Sequence, residues 1–256
     1  MLQVKSHNSV ATVVIDRANR CNALSRELVE QLTETLGDLH QEKKIKAVVL
    51  AAAGSTFCSG VDLQEWHETL DSQDAMQQWH QDMEGLKDLY EAMLIYPKPL
   101  IAAVDGAALG AGLGLVLACD LVVGSHRLTL GLPAPRRGLV SGLVAPLLFF
   151  RAGAATASRL LLGDDWLDSQ EDHRLGLVHH LVEPNQVWVR AQQWGEKIQN
   201  SAPQSLMLTK RMLNEVIGEN VLSWLTSGAA MTATACTTEA AAEGLRAFID
   251  KRGPKF

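Results

Sequence analysis

The sequence predicts an α/β fold: an alternating strand–helix core that gives way to helices in the last third of the chain. Three observations carry this reading. Short apolar runs rich in alanine and β-branched residues recur at Val10–Ile15, Ala47–Ala52 and Leu100–Val104. Each has the length of a strand, and the second and third are apolar enough to be covered on both faces. Between the first two runs, Leu28, Leu32, Leu36 and Leu39 fall on one helical face. From Ala154 onward helical patterns dominate.

Taken in order, Val10–Ile15 is the first predicted strand, and the polar residues 16–20 lead away from it. Ser25 is placed to cap the leucine-striped helix. Ala47–Ala52 then completes a strand–helix–strand unit, for which a right-handed crossover is the rule. A small-residue turn spans 54–60, and a polar stretch rich in Trp and Gln spans 64–90, helical in its second half. Pro97 and Pro99 stop that helix ahead of the strand Leu100–Val104. A glycine-rich turn over 106–114 runs into a helix over 113–119, and 121–124 is strand-like. Later, 178–182 reads as a short strand, and 204–217 and 237–250 as helices. Residues 1–195 are expected to form the β/α core and 196–256 a helical C-terminal subdomain.

Composition narrows the function. The 256 residues carry a net charge of −6, which disfavours a nucleic-acid-binding class. Cys21, Cys58, Cys119 and Cys236 lie far apart with no CxxC pair; Cys58 and Cys119, among apolar and small residues, read as buried thiols. No metal spacing is present. The N-terminal residues lack a basic-then-apolar leader pattern. The apolar run 100–124 is broken by glycines and by Asp105 and Asp120, so it fits buried strand, turn and helix better than a membrane span. The expectation is a soluble, cytoplasmic protein.

Two stretches carry the chemical signal: Phe57-Cys58-Ser59-Gly60-Val61-Asp62-Leu63, and Asp105-Gly106-Ala107-Ala108-Leu109-Gly110-Ala111-Gly112-Leu113-Gly114. Each follows a buried strand and places glycines where the backbone turns tightly. A glycine turn that opens a helix leaves N–H groups free at the positive end of the dipole. Two such turns facing one another could aim two donors at one oxygen. On pattern alone, glycine turns after strands are more often only tight turns. Gly110-Ala111-Gly112 also suggests a dinucleotide-binding turn, but the third glycine and the acidic residue about twenty positions on are missing.

At these residues the chain resembles the enoyl-CoA hydratase/isomerase (crotonase) family. The segments, in the family's order, are Asp16 to Ser25, with Asn22-Ala23-Leu24 at the family's NAL; Phe57 to Leu63; Ile101 to Asp120; Leu130 to Val140; and Glu243 to Phe256. Together they span nearly the whole chain. The resemblance implies a crotonase (ClpP/crotonase-like) fold of repeated ββα units and a helical C-terminal region that builds a homotrimer, often paired into a hexamer. It implies an acyl-CoA substrate, with coenzyme A as part of that substrate and no separate cofactor, nucleic acid or membrane partner. It implies that the backbone N–H groups of Val61 and Ala111 form an oxyanion hole for a thioester enolate. Asn22, Ala23, Leu24 and the turn at Ser59 would meet the adenine and phosphates of CoA, and Phe248 and Lys251 would reach CoA in a neighbouring subunit.

The chain departs from the family at the proton-transfer positions. Hydration needs a water held and deprotonated, which two glutamates usually do. Those positions are Gly114 and Ala134 here, and the aspartate that some members place further on is Gly142. Asp62 reads as a helix cap, and Glu65, His67 and Glu68 as surface groups. Arg136 and Arg137 also occur in ordinary hydratase-like patterns and are assigned no acidic substrate. The resemblance thus implies a lyase or isomerase class of enzyme whose usual hydratase mechanism is in doubt. The alternatives are a reaction needing mostly the oxyanion hole, such as decarboxylation or thioester hydrolysis, or a non-catalytic acyl-CoA-binding subunit. A nicotinamide oxidoreductase is a distant outsider.

Overall fold

The computed structural model describes residues 1–163 and 165–256. In chain order the strands are β1 (Leu2–His7), β2 (Val10–Ile15), β3 (Ala47–Ala52), β4 (Thr56–Cys58), β5 (Leu100–Val104), β6 (Ala107–Leu109), β7 (Leu121–Ser125), β8 (Thr129–Gly131), β9 (Trp166–Asp168) and β10 (His180–Val182). The helices are α1 (Arg26–Gln41), α2 (Leu63–Thr69), α3 (Ala75–Ile95), α4 (Ala111–Ala118), α5 (Val144–Leu162), α6 (Ser169–Arg174), α7 (Val187–Ile198), α8 (Pro203–Arg211), α9 (Glu219–Ala235) and α10 (Glu239–Ile249).

The strands form two sheets, one ordered β1-β2-β3-β5-β7-β10 and a smaller one ordered β4-β6-β8-β9. The repeat is visible in this division. β3, β5 and β7 lie in parallel in the large sheet, and each is followed by a short strand, β4, β6 or β8, in the small one. A helix follows each pair. Pleating sends alternate residues to opposite faces: Val48 and Leu50 of β3 join the main core, while Val49 and Ala51 join a second core with Val187 and Ala191 of α7.

Local chemistry sets the element boundaries. Ser25 Oγ accepts from Leu28 N at 3.3 Å, and Leu28, Leu32, Leu36 and Leu39 are buried, as their spacing predicts. Two expectations change. A strand precedes Val10–Ile15: β1 pairs antiparallel with β2, but five of its six residues are exposed, so it shows no apolar signal. The first half of 64–90 is helical too, because Asp62 caps α2 by accepting from Gln64 N at 3.0 Å. In the C-terminal region, α9 packs on α3 and α5, and α10 on α2 and the turn Pro135–Arg137. Lys210 of α8 donates to Asp120 Oδ2 at 2.7 Å, tying that helix to the start of β7.

The start of α4 is held in place by two missing side chains. A methyl group at Gly112 would overlap the Cys58 carbonyl and lie 2.8 Å from its Sγ. A methyl at Gly114 would overlap the Tyr90 hydroxyl and lie 2.5 Å from Cζ. Tyr90, on α3, is fully buried and donates to the Ala111 carbonyl at 2.7 Å. Gly114→Ala is therefore expected to cost about 1–3 kcal/mol of stability by overpacking. Tyr90→Leu costs stability as well, through the lost hydrogen bond and volume. Combined in one chain, they should cost at least about 0.5 kcal/mol less than the sum. Urea denaturation of the four proteins measures this, and strict additivity would show that the two residues do not share the space.

A second test concerns α6. Asp172 is fully buried, and neither carboxylate oxygen has a hydrogen-bond partner among the described residues. Burial, with the charges of Asp168 and Glu171 adding to it, pushes its carboxyl up to about 8. An unfolded aspartate titrates near about 3.9. Between these values the folded chain holds a proton that the unfolded chain releases, so stability falls as pH rises from about 4 toward 8. Asp172→Ala should raise the melting temperature, and the gain should grow by about 1–3 kcal/mol between pH 5 and pH 7. A gain independent of pH would contradict this assignment.

Candidate functional site

The two glycine turns meet. Gly60 (φ +101°) and Gly110 (φ +51°) both adopt left-handed backbone, which glycine reaches without strain. A methyl on Gly60 would lie 3.1 Å from the Leu109 carbonyl and 3.4 Å from Ala111 N. The residues just beyond, Val61 and Ala111, are thereby brought side by side. Ala111 opens α4, so its N–H lacks an intrahelical acceptor. Neither it nor Val61 N–H donates a hydrogen bond among the described residues. Both residues line a cavity of about 670 Å³, a volume within the usual range for small-molecule sites.

The cavity wall is mostly apolar. Trp66 of α2 and Met83 and Leu86 of α3 line it, as do Leu139, Leu143 and Val144 ahead of and at the start of α5. Thr232 of α9 and Phe248 of α10 bring the C-terminal helices into it. The 64–90 stretch therefore supplies wall residues, but Glu65, His67 and Glu68 are not among them. Glu65 instead accepts from Arg26 N at 3.0 Å, and Glu68 from Gln64 Nε2 at 3.2 Å.

Among the described residues, Asp62 is the one carboxylate that lines the cavity, and no histidine does. Asp62 is engaged on both oxygens: Oδ1 caps α2, and Oδ2 meets Arg17 Nη1 at 2.7 Å. Arg17 Nη1 also donates to the Ala23 carbonyl at 3.0 Å. The cap expected at Asp62 is thus also one half of an ion pair that joins the two sides of the first turn.

Of the residues expected at the site, Val61, Ala111, Ala134, Ala23 and Ser59 line the cavity, and so does Gly142; Phe248, expected at a neighbouring subunit's CoA, lines this chain's own cavity. Four do not. Asn22 is fully buried, and its side chain works inward: Oδ1 accepts from Arg17 N at 2.8 Å, while Nδ2 donates to the carbonyls of Ala53 and Thr56 at 2.8 and 2.7 Å. Leu24 is buried, and its backbone pairs with the turn, its N–H donating to Gly60 O at 2.7 Å and its carbonyl accepting from Asp62 N at 2.9 Å. Both residues place the Val61 turn, and the Asn22 amide is turned to the backbone behind it. Lys251, expected at a neighbouring subunit's CoA, is exposed in left-handed backbone just past α10 and is not among the residues lining this chain's own cavity. Gly114 lies behind the wall, where Tyr90 takes the space a carboxylate would need. Burial raises the Tyr90 phenol's pKa well above its ordinary value, and Tyr90 does not line the cavity.

Sequence reasoning missed the role of Tyr90 and of Thr232, whose Oγ1 accepts from Gly142 N at 3.1 Å. It also missed the setting of Arg137. This half-buried guanidinium stacks on the Phe248 ring, 4.7 Å from its centroid. Burial, uncompensated by a counter-charge, lowers its pKa. Among the described residues, no group of three or more His, Cys, Asp or Glu could hold a metal ion, and no helix is long and apolar enough to cross a membrane.

A family profile described as Enoyl-CoA hydratase/isomerase matches residues 5–256. A Thermus thermophilus protein named as a candidate enoyl-CoA hydratase is 34% identical over 256 residues, covering 100% of both chains. The human protein named Enoyl-CoA hydratase domain-containing protein 2, mitochondrial, is 30% identical over 253 residues, covering 96% of this chain and 85% of its own. A crystal structure of an enoyl-CoA hydratase/isomerase from Pseudoalteromonas atlantica superposes with a TM-score of 0.85 at 29% identity, covering 100% of this chain and 99% of that one. The two glycine turns thus sit in the crotonase fold, and the chain belongs to the enoyl-CoA hydratase/isomerase family.

Proposed function

We propose that the protein binds an acyl-CoA thioester and stabilises the enolate of its acyl group through the amides of Val61 and Ala111, in a reaction that takes no proton with a carboxylate base. One observation carries this reading: two unpaired amides lie side by side in an apolar cavity whose single carboxylate, Asp62, is held by Arg17 and by a helix N-terminus. Donors fixed in such surroundings act strongly on developing negative charge and need no reorganisation.

Loss of CO₂ from a malonyl-type thioester suits this equipment best. The bond between Cα and the carboxyl carbon breaks, its electron pair passes through Cα to the thioester oxygen, and CO₂ leaves. Water then protonates Cα. The protein must hold the oxyanion and exclude competing chemistry; it need not abstract a proton. Hydration of an enoyl thioester does require acid/base groups, and losing one commonly costs about 10²–10⁴ in rate. A non-catalytic acyl-CoA-binding subunit is the second reading, favoured by the full engagement of Asp62. The exposed apolar side chains Leu208, Met212, Leu213, Val216 and Ile217 on α8 and the π-helical stretch Met212–Ile217 support assembly into a trimer or hexamer.

Malonyl-CoA, crotonyl-CoA and a saturated acyl-CoA, each followed by chromatography, separate these readings. The expected result is conversion of malonyl-CoA to acetyl-CoA, with crotonyl-CoA hydration slower by at least about 10². Rapid hydration of crotonyl-CoA would sink the proposal, hydrolysis of the saturated thioester would redirect it to a thioesterase, and binding without turnover would leave the binding subunit.

A further inference from the structure

Four arginines line the cavity: Arg20, Arg136, Arg137 and Arg252. Three are engaged within the chain. Arg20 donates to Gln64 Oε1, Arg252 is clamped by Glu243 and Asp250, and Arg136 also has an interaction of its own. The Arg137 guanidinium makes no hydrogen bond or ion pair among the described residues; its one side-chain contact of this kind is the stack on Phe248. That stack occupies the face of the guanidinium and leaves its N–H groups, which lie in the plane, available.

A half-buried cation without a counter-ion carries an uncompensated desolvation cost. A planar donor fork matches a carboxylate bidentately, with a strength that an ammonium does not reproduce. Arg137 lies on the turn Pro135–Arg137, its N–H donating to the Ala134 carbonyl at 2.9 Å. The cation is therefore one turn beyond Ala134, the cavity-lining position at which the family pattern would place a carboxylate. Here that end of the cavity is positive. A glutamate at position 134 would put a negative charge on the same turn as Arg137; alanine leaves the guanidinium to an incoming anion.

We propose that Arg137 is a specificity-determining residue that selects acyl-CoA thioesters whose acyl group bears a carboxylate. The inference rests on the acyl-CoA reading above and goes beyond it by naming the acyl class and the group that reads it. It holds for a carboxylate at Cα, as in the malonyl type, or further along the chain. The phosphates of CoA offer similar chemistry, so the experiment must separate the two sources of anion.

Malonyl-, succinyl- and glutaryl-CoA are compared with acetyl-, propionyl- and butyryl-CoA, the same chains without the carboxylate. Dissociation constants come from stopped-flow quenching of cavity tryptophan fluorescence, read before turnover. The wild type should bind at least one carboxylated member about 10- to 100-fold more tightly than its uncharged counterpart. Arg137→Gln should remove that preference while leaving the uncharged thioesters within about two-fold, which also shows that the cavity is intact. Arg137→Lys should restore part of it. The same preference should persist in pantetheine thioesters, which lack the nucleotide phosphates. Equal loss for charged and uncharged thioesters would place Arg137 on the CoA phosphates and overturn the proposal, as would an unchanged preference in Arg137→Gln. If the wild type binds no acyl-CoA at all, the functional reading fails and takes this inference with it; binding without discrimination defeats this inference alone.

Discussion

The approach of Gly60 to Gly110 governs the rest of the cavity. A side chain at 60 would press on the Leu109 carbonyl, and both residues use backbone that other amino acids enter only with strain. At Gly60 the missing Cβ leaves room for the second helix entrance, whereas at Gly110 it is the backbone conformation that calls for glycine, since a methyl there would meet Gly60 Cα only at 3.9 Å. The first turn is then locked from behind. Leu24 pairs with it through two backbone hydrogen bonds, Asn22 links the 17–22 loop to the carbonyls of Ala53 and Thr56, and Arg17 reaches Asp62. The segment 17–24 thus acts on the site through geometry, with Ala23 at the cavity surface.

The second turn is fixed differently. α4 enters beside Cys58 and Tyr90 so closely that Gly112 and Gly114 have no room for a methyl group. Tyr90 donates to the carbonyl of Ala111, the residue whose own N–H is unpaired. A carboxylate at 114 would need the space of the phenol. At this position the chain has a packing and hydrogen-bonding contact between Tyr90 and the start of α4. The lack of a side chain at 114 goes with the packing of α3 against α4, because Tyr90 fills that space.

Much of this was legible in the sequence, for identifiable reasons. β2, β3 and β5 were bounded by residue because buried strands read as continuous apolar runs, and α1 because its leucine stripe and Ser25 agree. The short strands β4 and β6 were hidden inside glycine turns, since three residues carry no periodicity. β1 was invisible because its side chains face solvent. At the site, the glycines marked the two turns, while Val61 and Ala111 within them were named through the family resemblance. Asn22 was harder to place, since nothing in a sequence tells whether a buried asparagine turns its amide toward a ligand or toward the backbone behind it. Tyr90 lay beyond pattern reading altogether: a tyrosine on a helix does not announce which glycine, twenty-four positions on, it will pack against.

The chemistry that remains is limited by where charge moves. If Arg137 holds a carboxylate at Cα, it stabilises charge that is present before the reaction, and that contact alone raises affinity without raising rate. As CO₂ forms, negative charge leaves the carboxylate and grows on the thioester oxygen. Acceleration then requires that the Val61 and Ala111 amides gain more than Arg137 loses. The structure is suited to that imbalance: the amides are fixed by backbone packing among apolar side chains, whereas the guanidinium is only half-buried and rests on one aromatic face. Solvent weakens the interaction that disappears more than the interaction that forms. On the proposed reading, Arg137 would choose the substrate without trapping it, and the backbone amides of the two glycine turns would hold the developing charge.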